Sequence, residues 1–467
     1  MTIHAAAGVC FELHVPVLII GAGACGLIAA LAAHDAGAEV LVLERDAQPS
    51  GSTALSSGMV PACGTRVQAA RGVSDSVALM MQDIQAKNGH RADPVLVERV
   101  CRDSAPAIDW LMERHSVNFE LVEGFLYPGH SVSRMHAPKS RTGAALMASL
   151  LAATRRARLE VVTQARVGAL FADDDGRVRG VSVSRPDGSE ELIGCDALVL
   201  ACNGFGGNRD MVRQYIPEMA EADYFGHAGN QGDAVNWGVA LGGEAVHMGA
   251  YQGHGSVAVP QGILITWALM MEGGIQVNRA GKRFSNEHAG YSEQSVKVLA
   301  QPDGLAWNIY DERLHRLGRD FEDYRNAEKM GAVKQGESEQ ALAAALGLPA
   351  EPLARSLADT HKDGVDSFGR DLGATPPLSP PYYGIKVTGA LFHTQGGLRI
   401  DPQARVLRTK SGAPLPNLFA GGGAACGISG PEVSGYLSGN GLLTAVVLGR
   451  IAGYGAAAIC RPVHSKG

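Results

Sequence analysis

The stretch VPVLIIGAGACGLIAALAAHDAGAEVLVLE, residues 15–44, decides the architecture of this chain. Residues 15–20 are a short apolar run of the buried-strand type. Three glycines follow at fixed spacing, Gly21, Gly23 and Gly26. Leu27–Ala36 then reads as a helix and Glu39–Leu43 as a second buried strand. Strand, glycine loop, helix and strand in that order open a doubly wound parallel sheet. Glu44 closes the second strand 18 residues after Gly26, the place of an acid that accepts from ribose hydroxyls. Gly21 makes the tight turn, Gly23 lets the backbone approach a pyrophosphate, and Gly26 lets helix and strand pack closely. The helix N-terminus favours the phosphate charge. On hydropathy alone residues 15–32 pass for a membrane span; the glycine spacing argues for the nucleotide loop instead.

The chain has 467 residues, long enough for two or three domains. Apolar residues make up 46% and charged residues 19%, which excludes wholesale disorder. A net charge of −6 gives no electrostatic support for a nucleic acid or an anionic membrane as partner. Glycine is abundant, at 60 residues. It clusters at Gly204/Gly206/Gly207, Gly396/Gly397 and Gly421–Gly423, where backbone could approach a large cofactor. The eight cysteines form no CxxC and no zinc spacing. They read as reduced thiols of a cytoplasmic protein, with no metal expected. No basic stretch precedes an apolar one at the N-terminus, so no secretory signal is expected.

Further along, 95–117 and 143–155 read as helices. The period-2 runs of 159–200, broken by the turns DDDG and PDG, read as a small antiparallel excursion. Residues 197–201 are again a buried strand. Residues 245–372 carry few buried-strand runs and many polar helical patches, the pattern of an inserted domain. The turn-rich TPPLSPPYYG at 375–384 marks the return, and 439–460 reads as a closing helix.

Two stretches choose between NAD and FAD. One is the hydroxyl-rich loop SGSTALSSG at 50–58; the other is LFAGGG at 418–423 followed by SGNGL at 438–442. A cofactor met by both ends of the chain is long, which favours FAD. With GAGACGLIAA, ERDAQPSGSTALSSG, ALVLACNGFGGN, GNQGDA, GGIQVNRAGKRFSNE and PYYGIKVTGALFHTQGGLRID, these motifs run through nearly the whole chain in order. The chain resembles the fumarate reductase/succinate dehydrogenase flavoprotein superfamily. Within it, the chain is most similar to the branch of 3-ketosteroid dehydrogenases and cyclic-ketone desaturases of the 4-oxocyclohexanecarboxylate type.

The resemblance implies an α/β fold: a Rossmann-like FAD-binding domain in two parts, 1–244 and 373–467, and an inserted α+β capping domain at 245–372. It implies that Ser52, Thr53, Ser57 and Gly58 line the flavin, beside Glu44 and Arg45 on the nucleotide side. The main chain at Val167 would meet the adenine, and Asp233 and Gly422 would lie near the cofactor. Ser438, Asn440 and Leu442 would approach the pyrimidine side. Two positions depart from the family pattern. Asn203-Gly204 stands for a glycine pair, and Gly423 stands for an acid that serves the ribityl chain. No histidine lies in 50–58, so noncovalent FAD is expected.

For catalysis the resemblance places Tyr291 at the proton-transferring arginine of fumarate reductases. Phe392, followed by His393, stands for a substrate histidine, and Tyr436 for a substrate arginine. Losing those cations argues against a dicarboxylate. Phenols suit a ketone, because they donate to a carbonyl oxygen and stabilise a developing enolate. The expected reaction is desaturation of the carbon–carbon bond α,β to a ketone in a cyclic substrate, an oxo-cyclohexane carboxylate or a ketosteroid-like molecule. Tyr291 would take the α-proton, Tyr383 (or Tyr382) with Tyr436 would polarise the carbonyl, and flavin N5 would take the β-hydride. The alternative for any one of these tyrosines is a core phenol with a satisfied hydroxyl. His393 reads either as a substrate contact or as a loop support.

The segment Tyr127–His136, with Lys139 and Arg141, reads either as a solvated basic loop or as an anchor. In the second reading Arg134 or His130 would hold a substrate carboxylate beside Tyr127 and Phe392. Tyr251, His254 and Trp267 of the inserted segment would wall the pocket. The chain has no haem CxxCH and no iron–sulfur spacing, so electrons would pass to a separate acceptor: a quinone, an electron-transfer protein or a dye. The alternative is an enone or enoate reductase running the same chemistry in reverse. A flavin-binding protein without turnover and a peroxide-forming oxidase are further readings.

Overall fold

A computed structural model describes residues 2–460. Its larger sheet is built on the strand Leu13–Ile20, which pairs in parallel with Val40–Leu43 on one side and Glu190–Leu200 on the other. Glu160–Val162 extends the parallel set beyond Val40–Leu43, and Pro414–Ala420 extends it beyond Glu190–Leu200. The expected antiparallel excursion is present: Arg166–Ala172 and Val178–Ser184 fold back and pair with the first half of Glu190–Leu200. The C-terminal halves of Leu13–Ile20 and Glu190–Leu200 are fully buried, which is why they read as unbroken apolar runs.

The first helix, Ala24–Asp35, begins three residues earlier than Leu27 and buries ten of its twelve residues. It packs against the closing helix Asn440–Cys460. A methyl group on Gly453 would overlap Ala29 O, and one on Gly449 would lie 2.6 Å from Cys25 O, so glycine permits this contact. Asn440–Cys460 is long and apolar enough to cross a membrane by composition alone. Its apolar window is 67% buried within the fold, so packing accounts for its hydropathy.

A second sheet is centred on the long strand Tyr382–Thr394, flanked by Tyr251–Ala258 and Leu305–Asp311. Ile263–Leu264 and Ile275–Val277 continue it at the two sides. Asp223–Tyr224 also joins Tyr382–Thr394. The second sheet therefore draws strands from both sides of residues 245–372. The polar helical patches expected within 245–372 include four short helices, Glu312–Gly318, Glu322–Lys329, Glu339–Leu346 and Ala350–Asp359. They cover this sheet and form a second core with it.

Candidate active site

One cavity runs from the glycine loop to the second sheet, and its lining is drawn from both ends of the chain and from both sheets, the reach that a long cofactor with a substrate beside it needs. Gly21, Gly23, Glu44, Arg45, Ser52, Thr53, Ser57, Val167, Asp233, Gly422, Ser438 and Leu442 all line it.

At the nucleotide end, Gly21 has φ 103°, and a methyl group on it would lie 2.6 Å from Ala201 O. Gly23 faces open space: a methyl group on it would meet only the Thr53 hydroxyl, at 3.8 Å. A methyl on Gly26 would overlap Gly21 O; Gly26 thus serves packing and does not line the cavity. The Glu44 carboxylate accepts from Ala22 N at 2.9 Å and Asp46 N at 3.0 Å, one bond per oxygen. A carboxylate offers about four acceptor sites, so both oxygens can still accept ribose hydroxyls. Asp233 opens the helix Asp233–Ala240, and its Oδ1 is buried without a partner; burial raises its carboxyl pKa. This glycine cradle, the helix N-terminus at Ala24, the half-used Glu44 and the unpartnered Asp233 fit FAD.

Sequence reasoning overlooked the loop that closes over this end. His227 N and Asn230 Nδ2 donate to Ser52 Oγ at 3.1 and 2.9 Å. Arg45 donates to Gly229 O at 2.9 Å, and His227 lies 2.7 Å from Asp46. Phe225, His227 and Asn230 line the cavity; the adjoining GNQGDA motif was the available signal.

The two departures from the family pattern meet in space. Asn203 adopts φ 66°, and its Oδ1 accepts from Gly204 N at 2.8 Å. A methyl on Gly423 would overlap that Oδ1, so Asn203 occupies the space that a side chain at 423 would need. Both residues line the cavity.

The other end is aromatic. Tyr291 opens the helix Tyr291–Leu299, and its ring stacks on His254 at 4.7 Å. The rings of Tyr127, Trp267 and Tyr436 surround it at 6.2–6.4 Å. His254 also stacks on Phe392, at 5.3 Å. The Tyr436 hydroxyl accepts from Gly441 N at 3.4 Å. Burial pushes the Tyr436 phenol up to about 12 and the Tyr291 phenol well above its ordinary value. His254 Nδ1 accepts from Ser256 N at 3.1 Å. Burial lowers His254 to about 3, so it is a neutral ring. His393 lines the cavity and also holds its loop, because Gln395 Nε2 lies 2.9 Å from His393 Nδ1; burial lowers it to about 4.

Several expected residues lie elsewhere. Tyr383 donates to Glu312 at 2.5 Å and stacks on His315 at 4.2 Å. Tyr382 donates to Glu339 at 3.3 Å. Both stand at the start of the strand whose other end, Phe392–Thr394, reaches the cavity. At 3.2–3.4 Å per residue that is roughly 30 Å away, so neither polarises a carbonyl here. Arg134 is buried and bonded to Asp75 and Asp83 at 3.0 and 2.6 Å; its charge is already matched, and it does not line the cavity. His130 is bonded to Ser438 O at 3.0 Å and supports that loop from behind. Asn440 is buried and donates to Ser429 at 3.1 Å, and Gly58 packs on Thr142 O; neither lines the cavity. Tyr251 is buried outside it, whereas His254 and Trp267 do form its wall. Among the described residues no cluster of His, Cys, Asp and Glu could hold a metal ion.

A two-lobed fold with a dinucleotide cradle at one end of a long cavity and an aromatic chamber at the other defines a flavoprotein oxidoreductase. The FAD binding domain family model matches residues 16–442. The chain belongs to that family, and with it to the fumarate reductase/succinate dehydrogenase flavoprotein superfamily. It is 31% identical over 450 residues to a probable fumarate reductase, Ifc3, of Shewanella frigidimarina (strain NCIMB 400), covering 94% of this chain and 74% of the relative. The open conformation of a flavocytochrome c3 fumarate reductase superposes with a TM-score of 0.80 at 30% identity, over 97% of this chain and 80% of that one. The 3-ketosteroid-Δ4-(5α)-dehydrogenase of Rhodococcus jostii RHA1, in complex with 4-androstene-3,17-dione, superposes with a TM-score of 0.77 at 27% identity, over 98% and 100%. The protein is an FAD-dependent oxidoreductase.

Proposed function

We propose that this oxidoreductase desaturates the bond α,β to a ketone in a cyclic substrate. One observation carries the reading. Of the described residues lining the cavity, the arginines are Arg45 and Arg166, grouped with Glu44 and Val167 at the nucleotide end, and none is lysine. The chamber around Tyr291 is walled by Tyr127, His254, Trp267, Phe392 and Tyr436. Such walls bury an apolar ring and offer hydroxyl and imidazole donors to one oxygen. They do not offset two carboxylates.

Bound FAD supplies the two-electron acceptor that carbon–carbon dehydrogenation needs. The Tyr436 hydroxyl donates to the ketone oxygen and so acidifies the α-carbon. Tyr291 receives the α-proton as its phenolate, having first given up its own hydroxyl proton to solvent, and the electrons of the broken C–H bond form the new double bond as the β-hydride leaves. The aromatic wall excludes water. A separate quinone, electron-transfer protein or dye then takes the electrons.

The raised Tyr291 pKa favours a second reading. A neutral, buried phenol is a proton donor as it stands, which suits reduction of an enone, and the similar curated proteins include reductases. An anaerobic panel separates the two. Oxidised enzyme is mixed with cyclohexanone, 4-oxocyclohexanecarboxylate, a 3-ketosteroid and succinate while its flavin absorbance is followed. Bleaching by a ketone supports the desaturase. No bleaching, with reoxidation of reduced enzyme by an enone, overturns it in favour of the reductase.

A further inference from the structure

We infer that Asn203 binds the ribityl chain of FAD, its side-chain amide donating to one of that chain's hydroxyls. Such a contact serves the cofactor alone and is the same for either direction of catalysis.

The strands Glu190–Leu200 and Pro414–Ala420 run parallel, with Leu200 opposite Ala420. Asn203 and Gly423 therefore follow their strands at the same distance. They stand in the crevice beyond the carboxyl ends of the sheet, where open α/β folds bind their ligands. Asn203 adopts the left-handed φ of 66°, which asparagine tolerates better than most side chains. Its carboxamide crosses to the neighbouring segment. Oδ1 accepts from Gly204 N at 2.8 Å and lies 2.0 Å from where a methyl on Gly423 would stand. Where the family pattern has an acid at 423, this chain fills the same space from position 203.

The neighbours of Asn203 fix its place along the cavity. On one side, Cys202 Cα lies 3.0 Å from where a methyl on Gly21 would stand, against the dinucleotide cradle. On the other, Gly204 packs on Thr394, and Phe205 N donates to Thr394 Oγ1 at 3.4 Å. Thr394 ends the strand that carries Phe392 and His393 to the aromatic chamber. Asn203 thus stands between cradle and chamber, and Cys202, Asn203, Gly423 and Thr394 all line the cavity. In FAD the group between the pyrophosphate and the flavin ring is the ribityl polyol.

The side chain has a donor to spare. An amide nitrogen carries two N–H groups, and among the described residues Asn203 Nδ2 has no hydrogen-bond partner. The acids lining the cavity, Glu44, Asp46 and Asp233, gather with Arg45 and Arg166 at the nucleotide end. The middle of the cavity therefore meets the polyol with a neutral amide. A half-buried amide so placed is satisfied by a hydroxyl oxygen.

The test titrates flavin-free protein with FAD and with FAD analogues lacking the ribityl 2′-, 3′- or 4′-hydroxyl in turn. Dissociation constants are read from flavin fluorescence, so no turnover is needed. Wild type should bind FAD roughly 2- to 10-fold more tightly than one of the three analogues, the range for one neutral hydrogen bond. Asn203→Gly, which suits the left-handed backbone, should weaken FAD by that factor and lose the preference. Asn203→Asp keeps Oδ1 and its bond to Gly204 N, and the hydroxyl then donates to a carboxylate. That charge-assisted bond is the stronger one, so the preference for FAD over the same analogue should grow. Equal weakening of FAD and all three analogues in Asn203→Gly makes the carboxamide a spacer against Gly423 and overturns the contact. A wild type that distinguishes none of the analogues, or an Asn203→Asp preference equal to that of wild type, overturns it as well. Asn203→Asp decides alone if Asn203→Gly does not fold.

Discussion

The rings of Tyr291 and Tyr436 meet edge-on, their centroids 6.2 Å apart at 64°, and of the two phenols Tyr436 is backed by the N–H of Gly441. That N–H supports negative charge on the Tyr436 oxygen, which fits the smaller rise in its pKa. The pair thus divides into a hydrogen-bond donor to the substrate oxygen, Tyr436, and a proton carrier, Tyr291. Tyr291→Phe is expected to lower kcat by about 10²–10⁴-fold, the usual contribution of a positioned acid or base. Flavin content and Tm should stay near wild type. Stopped-flow flavin reduction checks it, and an unchanged rate removes Tyr291 from the reaction.

Tyr383 supplies the contrasting case. Its hydroxyl is committed to Glu312 and its ring to His315. Tyr383→Phe should leave kcat and KM for the active ketone as in wild type. A loss of activity comparable with that of Tyr436→Phe would return Tyr383 to the site and refute the placement argued above.

Buried neutral histidines make stability depend on pH. Burial lowers His254 to about 3 and His130, His136 and His393 to about 4, from 6.5. Below pH 6.5 the unfolded chain binds protons that the folded chain refuses. Their contribution is therefore full above pH 6.5 and is lost as pH falls toward 4. Urea midpoints measured across pH 7 to 4 should decline with proton uptake on unfolding; a flat profile would contradict neutral burial.

The Asn203–Gly423 contact predicts a coupled pair. Gly423→Asp should cut flavin content, because its side chain collides with the Asn203 carboxamide. Asn203→Gly in the same chain should recover it by emptying that space. Additive losses in the double variant, read from flavin absorbance per protein, would show the two positions to be independent.

Lys87 and Glu293 tie the FAD-binding lobe to the helix that begins at Tyr291, through side chains only 12% and 15% exposed. Lys87→Met leaves a mostly buried carboxylate with no cation, and Glu293 Oε2 already lacks a partner. Breaking one side of a buried pair costs about 3–5 kcal/mol. Chemical denaturation should show a loss near the lower end of that range, and Glu293→Gln in the same chain should recover part of it. No loss in Lys87→Met would mean that the pair contributes nothing to joining the lobes.

The nucleotide half was legible in the sequence because its parts are local. Gly21, Gly23, Gly26 and Glu44 belong to one strand–turn–helix–strand unit, in which backbone conformation alone sets the geometry. The antiparallel excursion and the closing helix were legible for the same reason, since period and apolarity are properties of contiguous residues. The aromatic chamber joins residues that lie up to 309 positions apart, Tyr127 to Tyr436. Position along a strand kept Tyr383 from the cavity and brought His393 to it. Pairing with Asp75 and Asp83 removed Arg134 as an anchor. The sequence by itself determined the flavin-binding lobe, because its glycines and acid act through the backbone next to them. Only the tertiary structure decided which phenols meet in one chamber and which guanidinium is already paired, because burial and charge pairing between distant segments are properties of the folded chain.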